Sequence, residues 1–125
     1  MAVQDPGLDI GYLTASADLS SSQFLAVKPY ASADREVALE STGGLLILGI
    51  LQNKPTTGQC ADVRFVGISK AIYGGTVTRG QALMTNTSGQ LITATSTNQV
   101  VAIALESGAS GETHTVFVCP NGQQS

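Results

Sequence analysis

The side chain in this chain best suited to proton transfer or zinc binding is a single histidine, His114, flanked by Thr113 and Thr115. Either use needs partners, and no Cys or carboxylate stands with it in a zinc-ligand spacing. The sequence therefore predicts a hydrogen-bonded or solvent-facing strand residue at His114. Serine is plentiful, but no Gly-x-Ser-x-Gly elbow occurs, and Ser110 lies in Ala109-Ser110-Gly111, a link between strands. Paired carboxylates for glycosidic chemistry would have to come from Glu36, Glu40, Asp62, Glu106 or Glu112. These sit at predicted strand ends, where charge is normally solvated. Gly43-Gly44 and Gly74-Gly75 are not phosphate loops, since neither Lys-Ser/Thr nor a helix follows. Aromatics make up 5% of the chain and Trp is absent, which leaves few stacking platforms for sugars or single strands. The expectation is no enzyme, with no catalytic residue, no cofactor and no metal.

The bulk composition narrows the partners. Only 12% of residues are charged, about half the usual share, so Ser, Thr, Asn and Gln must supply the polar surface. Such groups suit a surface that a partner will cover. The net charge is −3 and the six basic residues are scattered, so no clustered footprint for phosphate binding exists and nucleic acid is not an expected partner. The longest apolar run, Leu45 to Leu51, contains Gly49 and is far too short to span a bilayer as a helix, so no membrane is expected. Met1 to Pro6 is polar and does not read as a secretory signal, which points to synthesis in a cytoplasm. Cys60 and Cys119 could be bridged by geometry alone, but a reducing compartment favours thiols.

Positioning falls to short strands. Phe24–Val27, Glu36–Glu40, Leu45–Leu51, Asp62–Ile68, Ala71–Tyr73, Ala82–Met84, Gln90–Thr95, Val100–Leu105 and Thr113–Cys119 read as β-type runs separated by turn residues. Pro29 limits its run to an edge or a strand end, and Pro120-Asn121-Gly122 reads as the closing turn. Thr and Val are abundant, and branched side chains fit a pleated surface better than a helix. The predicted fold is all-β, a small barrel or sandwich of short antiparallel strands. Residues 24–125 are expected to form one β domain, and residues 1–23 an extended N-terminal arm, with a first edge strand as its alternative.

The chain also repeats itself at a spacing of 53 residues, across about 47–65 and 100–118. Ile47 to Leu51, Thr57-Gly58-Gln59 and Val63-Arg64-Phe65 overlie Val100 to Ala104, Ser110-Gly111-Glu112 and Val116-Phe117-Val118 without a gap. Pseudo-repeated halves are the expectation. Short strands with few Lys or Pro to blunt their edges call for barrel closure or pairing across subunits, and a homo-oligomer is expected.

Two families share elements with this order of residues. Gly75 to Leu83 has a Val then Gly-x-x-Leu pattern that resembles biotinyl and lipoyl carriers, but the following tip, Asn86 to Gly89, lacks the Lys that carriers modify. From about Leu45 to Val118 the chain resembles the small head decoration (cement) proteins of tailed bacteriophages. The resemblance lies in Gly49-Ile50-Leu51, Thr57-Gly58-Gln59, Val63 to Gly67, Val77 to Leu83, Gly89 to Ala94, Val101 to Leu105 and Gly111 to Val116, in that order. It implies a structural protein of the virion, on the outside of an assembled phage capsid, made in the host cytoplasm. Its implied partners are the major capsid protein, whose subunits it bridges, and itself, as a homotrimer. Leu8, Ile10, Tyr12 and Leu13 in the arm are the candidate interface residues. The alternative is a carbohydrate- or receptor-binding β-module on a virion or cell surface.

Overall fold

The computed structural model describes residues 7–41, 43, 47–95 and 98–123. Within them the chain is all-β, with nine strands and no helix: β1 Gly7–Ala15, β2 Ala26–Pro29, β3 Glu36–Leu39, β4 Gly49–Leu51, β5 Cys60–Ile72, β6 Ala82–Thr85, β7 Leu91–Thr93, β8 Gln99–Ala104 and β9 Thr113–Gln123. The hydrogen-bonded order is β1-β3-β2-β4-β5-β9-β8-β6-β7, and β1 also pairs with β5. That extra pairing closes the first five strands into a small barrel, which removes their edges.

The second half curls in the same way. β5 runs on from the barrel and pairs with β9 from Gly67 to Ile72, and β9, β8, β6 and β7 follow. β7 then returns to the end of β5, where Tyr73 bridges Leu91 and the Gly74 N–H donates to the Leu91 carbonyl at 2.9 Å. Each half has its own core. Ala15, Leu19, Val27, Val37, Leu51, Ala61 and Val63 fill the first. Tyr73, Leu83, Leu91, Val101, Val116 and Val118 are prominent in the second, and Ala26, Ile47 and Ile50 reach into it from the first half.

Three elements differ from the sequence expectation. The runs Asp62–Ile68 and Ala71–Tyr73 are one strand to Ile72, because Ser69 and Lys70 pair with β9 residues Val116 and Thr115 and leave no gap in the ladder. Pro120-Asn121-Gly122 is no turn, since β9 continues to pair with β8 out to Val100↔Gly122 and Gln99↔Gln123. Finally, β1 and β3 pair in parallel, whereas the expected strands were antiparallel throughout. Of the segment expected as an arm, Met1 to Pro6 lie outside the described residues, and β1 occupies Gly7 to Ala15.

β1 is held to β5 by more than its ladder. Asp9 and Arg64 are cross-strand partners, with Arg64 Nε 2.7 Å from Asp9 Oδ1 and Nη2 3.3 Å from Oδ2. The Arg64 side chain is buried, and its Nη1 donates to the Ile68 carbonyl at 2.8 Å. A charge-assisted fork of this kind fixes orientation as well as position.

The two sequence copies pair in the same register. Ile50↔Arg64 and Leu51↔Val63 join β4 to β5, and the residues 53 positions later, Ile103↔Phe117 and Ala104↔Val116, join β8 to β9. The link between the paired strands is also shared. In Thr56–Gln59 the Gln59 N–H donates to the Thr56 carbonyl and the Gln59 Oε1 accepts the Thr56 N–H, both at 2.9 Å. Ala109–Glu112 repeats both contacts at 3.1 and 2.9 Å. A third turn of the same construction, Thr78–Gln81, repeats them again at 3.1 and 2.9 Å.

Each of these turns docks on a buried residue at or just past a strand end by two further backbone bonds. The glycine N–H of Gly58, Gly80 and Gly111 donates to the carbonyl of Ala15, Ala104 and Tyr73, at 2.9, 2.7 and 2.8 Å. Those three residues donate back to the carbonyls of Gln59, Gln81 and Glu112 at 2.9, 3.0 and 2.9 Å. The second and third turns interlock, because Val77 and Gly108, which precede them, exchange both backbone bonds at 2.9 Å. The glycines have φ of +81°, +89° and +85°, and a Cβ at any of them would meet nothing within 4 Å. Backbone conformation, and not space, therefore requires glycine there.

Gly80→Ala should cost about 1–2 kcal/mol of unfolding free energy by denaturant titration, the penalty of a left-handed non-glycine residue. Gly75→Ala, at ordinary φ with only Ile92 Cγ2 nearby at 3.9 Å, should be nearly neutral. Arg64→Ala should cost about 2–3 kcal/mol by the same measurement, because it removes the fork and strands the Ile68 carbonyl. Asp9→Ala should cost less, since the Asp9 side chain is partly solvated and Arg64 keeps its carbonyl partner.

Candidate functional site

The Ala109–Glu112 turn stands apart from its two counterparts in one residue. Where they end in Gln59 and Gln81, it ends in Glu112, and His114 follows two residues later on β9. The Glu112 Oε1 accepts the Ala109 N–H and also meets His114 Nε2 at 2.9 Å. On the other side of the ring, His114 Nδ1 lies 3.0 Å from Glu106 Oε1, and that oxygen also accepts the Thr115 N–H at 3.0 Å. Glu106 arrives through the β8–β9 connection, and its backbone carbonyl accepts the Tyr73 hydroxyl at 2.7 Å.

The ring itself is confined. It lies tilted against the buried Tyr73, with centroids 5.2 Å apart, and Gly108 covers its other edge so closely that a Cβ would collide with Cδ2 and Nε2. Two carboxylate oxygens facing the two ring nitrogens are both satisfied only by an imidazolium, which donates from each. The electrostatics agree. Hydrogen bonding to Glu112, and next to Glu106, raises the His114 pKa. The Thr115 N–H, then His114, hold Glu106 below the usual carboxylate range, and His114, then the Ala109 N–H, do the same for Glu112. Burial, aided by the Glu106 charge, pushes the Tyr73 hydroxyl up to about 12.

This arrangement clamps; it is not built to react. Both ring nitrogens are engaged, and the hydroxyl of the neighbouring Tyr73 is committed to a carbonyl. The carboxylates stand on opposite nitrogens, so they do not converge on a common ion, and no described group of three His, Cys, Asp or Glu does so elsewhere. An open cleft of about 310 Å³ is lined by Leu13, Thr14, Asp34, Arg35 and Cys60, and another of about 380 Å³ includes Lys28, Pro29, Tyr30 and Ser41. Neither touches His114. The sequence expectation of a hydrogen-bonded strand residue describes His114, but its acidic partners were not anticipated. Glu112, two residues before His114 in sequence, was a usable signal; Glu106 was not, because only the fold of the connection brings it in.

The candidate interface residues all fall on β1. The backbones of Leu8 and Ile10 pair with Val66 and Val63, and Tyr12 lies in the register shift between Ile10 and Leu13. Leu13 pairs with Ala61, and its half-buried side chain packs on the first core. Glu36 lies on β3 and Asp62 on β5, whereas Ser110 is part of the Ala109–Glu112 turn beside His114. Glu40 is buried with Oε1 3.7 Å from Lys28 Nζ, and Asp62 is exposed on β5. Among the described residues, the larger exposed apolar side chains are Tyr30, Leu105 and Phe117.

Comparison with known proteins places this architecture. The chain is similar in fold to the head fiber gp8.5 N base of bacteriophage phi29, with a TM-score of 0.72 at 13% identity, covering 94% of this chain and 100% of that one. No curated protein matches it by sequence. A family model described as phage cement protein matches residues 5–120, nearly the whole chain, in agreement with the resemblance carried by its glycine-paced strands. The chain therefore belongs to the phage cement protein family and is a structural protein of the phage capsid.

Proposed function

We propose that this protein docks on the outer face of an assembled phage capsid and stabilises it by bridging neighbouring major capsid subunits, acting as a homotrimer. Membership of the phage cement family over residues 5–120 is the observation that carries this reading. The chemistry of the surface supports it. With 12% charged residues, little hydration has to be stripped from the surface on docking. Many identical copies on one lattice make modest contacts multivalent. A protein that binds the finished shell and not its separated parts shifts the balance away from rupture by mass action. Leu8, Ile10, Tyr12 and Leu13 are the proposed contact residues, either to the capsid or between subunits. Synthesis is in the host cytoplasm, with the virion exterior as destination.

Mixing the protein with purified empty capsids and heating them tests the reading. Decorated particles should rupture at a higher temperature than bare ones; equal rupture temperatures at full occupancy would contradict stabilisation. Light scattering after size exclusion should give three times the 12.8 kDa chain mass, and a monomer mass would remove the trimer. Tyr12→Ala or Ile10→Ala, once shown to keep the native circular dichroism, should weaken capsid occupancy by about tenfold, the loss of about 1.4 kcal/mol of contact. Unchanged occupancy in folded variants would move the interface off β1.

A further inference from the structure

Three turns in this molecule share one backbone construction, and only one of them has an ionisable cap. Gln59 and Gln81 cap their turns with a neutral amide oxygen, whereas Glu112 caps Ala109–Glu112 with a carboxylate oxygen that it shares with His114 Nε2. We propose that Ala109–Glu112 is a pH-responsive latch, held against Tyr73 and β9 while His114 is doubly protonated and loosened when the ring loses a proton, whereas the two Gln-capped turns do not respond. This proposal does not depend on the capsid role.

The geometry makes the loss of one proton consequential. A neutral imidazole keeps a single N–H, so the other nitrogen turns a lone pair toward a carboxylate oxygen at about hydrogen-bond distance. The ring has little freedom to escape, because Gly108 and Tyr73 confine it. Relief then comes from the connection, through Glu106 and the Thr115 N–H on one side or Glu112 and the Ala109 N–H on the other. The other groups around the ring do not compensate. From β5, Ala71 is the strand partner of His114, and the adjacent Lys70 holds its ammonium 5.5 Å above the Phe24 ring. The Tyr73 hydroxyl is neutral and donates to the Glu106 carbonyl. From the interlocking turn, Arg79 meets this connection through its backbone N–H, which donates to Ser107 Oγ.

The sign of the dependence is fixed by the direction of each shift. His114 is raised when folded, so its contribution is complete below the usual imidazole value of about 6.5 and fades as pH rises through the raised value. Glu106 and Glu112 are lowered, so theirs is complete above the usual value of about 4.3 and fades as pH falls through the lowered ones. The latch is tightest between these limits and opens on the alkaline side by way of His114.

Amide hydrogen exchange by NMR on the intact protein tests this, with the single histidine giving an unambiguous ring titration. After correction for intrinsic base catalysis, exchange at Ala109 and Gly111 should rise about tenfold from about pH 6 to about pH 9, with the midpoint of the His114 titration. Exchange at Thr56, Gly58, Thr78 and Gly80 should show no such step. Glu112→Gln, which gives this turn the cap of the other two, should lower the His114 midpoint and abolish most of the step. A common pH profile for all three turns would overturn the proposal. So would a step at Ala109 that does not follow His114 in the wild-type protein, a comparison that requires no variant to fold.

Discussion

The ladder along β5 is the constraint on which the rest of the molecule depends, because its thirteen residues run unbroken through both halves. Its first part pairs with β4 and β1 and completes the five-stranded barrel; from Gly67 onward it pairs with β9 and founds the second half. A shift of one residue along β5 would turn Val63 out of the first core, and Ala71 out of the second. The Asp9–Arg64 fork and the bridge from Tyr73 to Leu91 act at opposite ends of this strand, each closing one half. The two halves therefore share their register.

The glycine turns solve the remaining problem, which is how short strands keep their ends from fraying. Each turn satisfies its own N–H with a side-chain oxygen and then adds two backbone bonds to a buried residue at or just past a strand end. The polar groups of the links are thus paired inside the molecule and not left to water. A protein built this way can be small, weakly charged and still present few open edges. Those properties suit the proposed role on the capsid surface.

Much of this was legible in the sequence. Alternation and turn residues gave the all-β class, and the spacing of 53 residues located two strand pairs whose registers coincide. The third turn was visible only as Thr78-Arg79-Gly80-Gln81, since its flanking strands do not follow the repeat. The length of β5 was hidden because Gly67, Ser69 and Lys70 interrupt the apolar pattern, although a strand shared by two cores needs no single alternating face. The sequence pattern ends β9 at Cys119, because Pro120 usually stops a ladder, yet pairing resumes at Gly122 and Gln123. The parallel pairing of β1 with β3 has no local signal. The Glu106–His114 contact had none either, because it depends on where a connection folds back.

The family of the chain supports the proposal that its output is mechanical. The most direct measurement of that claim is electron cryomicroscopy of purified capsids saturated with the protein. Ordered density is expected on the outer surface at the seams of the lattice, each copy touching at least two major capsid subunits. Density confined to the face of a single subunit, or lying inside the shell, would contradict it.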